Sequence, residues 1–145
     1  MMPTTEAYKE LMQFQRDTEA LRSIAGRLSW DQETMMPIGS SEQRATEHAA
    51  LARVVHTRNT APQIADWLDN ISSQSEDESA NIRLIRKSYE KECKIPKELN
   101  ASIARVTSKA HGIWASARNN ENVAEYLPIL AEIIKLKTEK AQILS

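Results

Sequence analysis

A chain of 145 residues is the length of one domain, and its 41% hydrophobic and 27% charged residues exclude disorder along its whole length. With only 3 Gly, 5 Pro and 5% aromatics, it has little material for the turns and pleated core of a sheet protein. A net charge of −1 gives no electrostatic case for nucleic acid or an anionic membrane, and one cysteine, Cys93, excludes an internal disulfide framework.

No apolar run approaches the roughly 20 residues of a membrane span. The N-terminus, Met1-Met2-Pro3-Thr4-Thr5-Glu6, lacks the basic-then-apolar pattern of a leader, so the expectation is a cytoplasmic, all-α chain. The first helix starts near Thr4 or Thr5, either of which can cap it. Leu11, Phe14, Thr18, Leu21, Ala25 and Leu28 then recur at three- and four-residue steps, a stripe that predicts lengthwise packing against a partner. Gly26 lies inside this helix and reads as a point of close helix approach. The segment Trp30–Gly39 breaks the pattern, because Pro37 disfavours helix at Met36 and Gly39 follows as a hinge. Trp30 and Met35 are expected to staple this corner while Asp31 and Glu33 face water.

Ser40 and Gln43 form a potential capping box for the second helix, which gathers Ala45, His48, Ala49, Ala52, Val55 and His56 on one face. Thr60 is the expected cap of a third helix, with Pro62 in its first turn and the stripe Ile64, Trp67, Leu68 and Ile71. Residues 72–79 form a polar, acidic connector. The fourth helix aligns Ile82, Ile85, Tyr89 and Cys93, which places Cys93 toward the core. Pro96 opens a fifth, with the stripe Leu99, Ile103, Val106, Ala110, Trp114 and Ala117. After the turn cluster Asn119-Asn120-Glu121-Asn122, the last helix carries two apolar faces. Leu127, Leu130, Ile134, Ala141 and Leu144 form one, and Ile129, Ile133, Leu136 and Ile143 the other. With no stop signal before Ser145, this helix reads as the end of an N-terminal piece. Its second face then predicts self-association, most simply a two-fold homodimer through the last helix.

Chemistry-bearing patterns are few. His48 and His56 share a helix face, but two histidines do not complete a zinc site. His111 adds no ligand motif, and the chain has no H-E-x-x-H, phosphate loop, dinucleotide fingerprint or nucleophile elbow.

One constellation stands apart. Trp30-Asp31-Gln32-Glu33-Thr34-Met35-Met36-Pro37, followed by Gly39 and Arg44-Ala45, resembles the W-D-Q-E-T-x-M-P-x-G-x(4)-R-A stretch of the M32 zinc metallocarboxypeptidases, the carboxypeptidase Taq family. The resemblance continues through His56, Ile95-Pro96-Lys97-Glu98-Leu99, Trp114-Ala115-x-Ala117-Arg118-x-Asn120, Tyr126-Leu127-Pro128 and Leu136-Lys137-x-Glu139-Lys140-Ala141. Val123-Ala124 and Thr138 depart from the family pattern.

The resemblance implies an antiparallel bundle of about six helices, similar to the N-terminal cap over the substrate groove of these enzymes. It implies one cap-like domain over 1–145, with the first long helix and its break at 4–39 and the remaining helices at 40–145. The family removes C-terminal residues from peptides with zinc held by H-E-x-x-H and a downstream glutamate. No such ligand or general base falls in this chain, so it is expected to be inactive alone, with no metal and no catalytic residue. A peptide substrate is expected only for the longer enzyme. Trp30, Asp31, Gln32, Glu33, Met36, Pro37 and Arg44 become candidate groove-lining residues. The alternative is a stand-alone helical interaction module that keeps the cap fold without activity.

Overall fold

A computed structural model describes residues 4–72 and 75–145. The leader-free reading of residues 1–3, the Thr4 cap and residues 73–74 of the acidic connector lie outside what it describes. Among the described residues there are six α-helices, one short 3-10 turn and no strand: α1 (Thr4–Thr34), the turn Ile38–Ser40, α2 (Ser41–Asn59), α3 (Pro62–Asp69), α4 (Glu76–Lys94), α5 (Lys97–Asn119) and α6 (Val123–Leu144). Among the described residues no helix is long and apolar enough to cross a membrane.

α1 is longer than the sequence pattern predicts. Trp30–Thr34 contains neither Gly nor Pro, so the helix runs through it. It ends where Met35 and Met36 both donate their N–H groups to the Asp31 carbonyl, each at 2.9 Å. Pro37 then holds an extended conformation and turns the chain. Gly26 is not a close-packing point: it is exposed, and a Cβ there would meet nothing within 4 Å.

Caps also differ from expectation. Ser40 makes no side-chain cap and the proposed box with Gln43 does not form; Ser41 instead donates its hydroxyl to the Ile38 carbonyl at 3.1 Å. Thr60 ends α2, donating to the His56 carbonyl at 2.8 Å, while Ala61 occupies the N-cap of α3. The cause is Pro62, which holds the residue before it extended. Ser75 caps α4 by accepting the Glu78 N–H, and three acids follow in the first turn, where the helix dipole favours them.

The core has two apolar clusters. Leu11, Ile64 and Leu68 are fully buried together, with Phe14, Trp67, Ile82, Ile85 and Tyr89 packed around them. Phe14 and Trp67 meet at a tilt of 60°, with centroids 5.5 Å apart. Val106, Ala110 and Ile129 form the second cluster, with Tyr126, Ile133 and Leu136 against it. Between them α2 lies along α5, which is its most extensive neighbour. The buried small residues Ala45, Ala49 and Ala101 sit on these two helices.

Most polar groups on the buried faces have partners; Arg44 Nε and His56 Nδ1 are buried without a hydrogen bond. Thr18 donates to the Phe14 carbonyl and accepts from Arg58 Nε at 2.9 Å; Arg58 also lies 3.9 Å over the Phe14 ring. His56 holds Ile95, with Nε2 2.7 Å from its carbonyl. That contact fixes a tautomer with the proton on Nε2.

Three exposures correct the sequence reading. Cys93 is exposed, since the cover that α4 receives from the first cluster reaches Tyr89 and does not extend one turn further. Trp114 is 47% exposed at the edge of the α5 stripe. On α6, Ile129, Ile133 and Leu136 are the residues that pack on α5, so they do not form the spare face expected for self-association. The outward side carries Leu127 and Ile134, which are 51% and 56% exposed.

Candidate functional site

The corner where α1 ends, α2 begins and α5 passes beneath gathers most of the candidate residues. Arg44 rises from the first turns of α2 and reaches back to α1. Its Nη1 donates to the Leu28 carbonyl at 2.7 Å and its Nη2 to Asp31 Oδ2 at 2.6 Å. Glu47, one turn along α2, lies 3.6 Å from Arg44 Nε. The Arg44 side chain is 12% exposed. The hydrogen bond that it donates to Asp31 holds its guanidinium above the ordinary arginine range, against the opposing effect of burial. A charge-assisted pair of this geometry ties the last turns of α1 to α2 across the chain reversal.

Gln32 secures the same end of α1 to α5. Its Nε2 donates to the Ser108 carbonyl at 2.9 Å, and the Ser108 hydroxyl returns a bond to Gln32 Oε1 at 3.1 Å. Ser108 is buried, so the reciprocal pair satisfies a hydroxyl that would otherwise be costly. Asp31 and Gln32 are successive residues, and their side chains hold two different helices. Gly112 lets α5 approach: a Cβ there would meet Ser41 Oγ at 3.3 Å.

Trp30 and Met35 do not staple the corner; they are 65% and 73% exposed. Asp31 does not simply face water, since Arg44 holds it. The expected roles are reversed because the guanidinium and the amide find fixed partners, whereas Trp30 sits on the outward side of α1. Met36 is half-buried, and Glu33 and Pro37 are exposed.

Beside the Gln32–Ser108 pair is a polar hollow of about 320 Å³, lined by Gln32, Glu33, His48, Thr107, Ser108 and His111 among others. Burial, reinforced by the nearby Arg44 charge, holds the His48 imidazole below the ordinary histidine range. Ser108, His48, His111 and Glu47 were not picked out as site residues from sequence. The available signal was Ser108, a hydroxyl on the packed side of α5, which requires a hydrogen-bonding partner.

His48 and His56 go separate ways, one to this hollow and one to the Ile95 carbonyl. Among the described residues no three His, Cys, Asp or Glu side chains come together to hold a metal ion. This donor set does not fit a zinc centre, and no step of metal chemistry is assigned to it.

Comparisons with known proteins identify the family and the fold. A family model described as carboxypeptidase Taq (M32) metallopeptidase matches residues 10–145. Thermostable carboxypeptidase 1 of Thermus thermophilus is 36% identical over 149 residues, covering 99% of this chain and 29% of its own length. Carboxypeptidase 1 of Bacillus subtilis is 26% identical, covering 74% of this chain and 22% of its own length. The structure of Trypanosoma cruzi metallocarboxypeptidase 1 superposes with a TM-score of 0.68 at 29% identity, over 94% of this chain and 28% of that one. The crystal structure of BsuCP superposes with a TM-score of 0.90 at 22% identity, over 96% of this chain and 29% of that one, and so shows the shared fold. The chain therefore spans less than a third of the length of these relatives.

Proposed function

The chain belongs to the carboxypeptidase Taq (M32) metallopeptidase family, and from that premise we propose that its helices form a wall of the substrate groove in a cytoplasmic metallocarboxypeptidase. The observation that supports this best is the family match over residues 10–145, combined with a fold that covers only 29% of a carboxypeptidase chain. A wall must be stiff. The Asp31–Arg44 and Gln32–Ser108 pairs make the corner stiff while leaving Trp30 and Met35 projecting outward as contact surface. In this reading the groups that attack the peptide bond lie outside these 145 residues.

Two measurements test the reading. The purified 145-residue chain, supplied with zinc, should release no C-terminal residue from a peptide. Release at an ordinary enzymatic rate would overturn it. The coding frame after Ser145 should encode H-E-x-x-H, and a stop codon there would overturn it as well. We also propose that the chain alone pairs with a second copy through the outward face of α6. Leu127→Glu with Ile134→Glu should then convert a dimer to a monomer in light scattering, with helicity retained.

A further inference from the structure

The turn from α5 to α6 builds a second hollow, which shares no lining residue with the corner. Glu121 adopts a positive φ of 50°, and Asn122 donates its N–H back to the Ala117 carbonyl at 2.8 Å. This closure ends α5 with a left-handed residue and folds α6 back along it. The resulting hollow has a volume of about 450 Å³ and is lined by Trp114, Ala117, Arg118, Glu121, Val123 and Tyr126, with Asn122. Two stretches singled out in the sequence, Trp114–Asn120 and Tyr126–Pro128, therefore meet at one place, although neither takes part in the corner.

The walls are apolar and the rim is not. Arg118 and Glu121 bring one positive and one negative group to it, and both side chains are exposed. Among the described residues neither makes an ion pair or a side-chain hydrogen bond, with each other or with a neighbour. The nearby acid Glu125 differs, since it accepts the Ser116 hydroxyl at 2.8 Å. An apolar pocket with both an unpaired cation and an unpaired anion at its mouth suits a ligand with an apolar body and both charges. A peptide terminus supplies only one of them.

We propose that this hollow binds a free apolar α-amino acid. The side chain lies against Trp114 and Tyr126, the carboxylate meets Arg118 and the ammonium meets Glu121. The biological sense of the assignment rests on the groove-wall reading, because such an amino acid is what a carboxypeptidase releases. The binding itself is a property of this chain.

The test compares L-leucine, N-acetyl-L-leucine and L-leucinamide on the unmodified chain, following the Trp114 indole N–H by NMR. L-Leucine should shift that signal with a millimolar dissociation constant, and each blocked form should bind about threefold more weakly. Arg118→Gln should abolish the preference over the amide, and Glu121→Gln the preference over the N-acetyl form, with circular dichroism unchanged. Equal binding of the three compounds, or no shift up to about 50 mM L-leucine, would overturn the assignment. Because the readout needs no catalysis, this outcome is distinct from a failure of the groove-wall reading. Discrimination by a chain that proves unrelated to peptide cleavage would leave the site standing.

Discussion

The cluster around Leu68 and the corner around Arg44 both fasten α1 to later helices, and they do so by opposite means. In the cluster, Leu11, Ile64 and Leu68 exclude water by volume, and Phe14 and Trp67 seal the edge. The corner is fastened by polar groups. Asp31, Gln32, Arg44 and Ser108 instead satisfy one another through directed hydrogen bonds. Burial of volume is strong and tolerant of small rearrangement, whereas reciprocal hydrogen bonding is weaker but fixes angle and register. The comparison suggests that the cluster holds the fold and the corner sets its shape.

The cluster offers the sharpest way to break that division. Leu68→Ala should cost about 3–5 kcal/mol in urea unfolding, since the residue is fully buried and its neighbours come from three helices. A loss below about 1 kcal/mol would show that the cluster is not the anchor. At the corner, Arg44→Gln leaves the Leu28 carbonyl and the Asp31 carboxylate short of donors and should cost about 1–3 kcal/mol. If it costs as much as Leu68→Ala, the distinction between holding and shaping fails.

The Gln32–Ser108 pair should give a smaller figure. A double-mutant cycle with Gln32→Ala and Ser108→Ala should show a coupling of about 0.5–1.5 kcal/mol. Coupling near zero would mean that the two bonds are replaced by water without loss. The smallest effect concerns His48. Its folded value lies below the ordinary histidine range, so the unfolded chain takes the proton first as pH falls. Stability should decline downward from that range and level off below the folded value. His48→Gln should flatten the decline, and Arg44→Gln should raise the imidazole value in an NMR titration. An unchanged value in Arg44→Gln would remove the corner charge from the account.

This contrast also explains what could be read in the sequence. Apolar periodicity located the stripe of α1 and the faces of α3 and α5, because burial of volume leaves a repeating trace in the chain. It also marked two faces on α6, and only the packing on α5 decided which one is covered. The site residues Asp31, Gln32 and Arg44 were found by resemblance, not by periodicity. Their partner Ser108 is distant in sequence and carries no periodic mark, and Leu28, although on the α1 stripe, takes part through its backbone carbonyl, which no side-chain pattern reveals. Trp30 departs for a related reason: a large aromatic at a break in the pattern reads as a packing staple, yet its position on α1 faces outward. α1 ends later than the sequence pattern places it, because the pattern break opens at Trp30, seven residues before Pro37, while the residues up to Thr34 still hold the helix.

The alanine seam between α2 and α5 has a consequence for how this molecule can change over generations. Ala45 and Ala101 are almost completely covered, and they sit on the two helices that pack together most extensively. The aliphatic cluster can exchange one branched side chain for another and repack. The seam has no such latitude, because every replacement of alanine other than glycine adds atoms where helices touch. Drift should therefore accumulate first among the large side chains and last among the smallest.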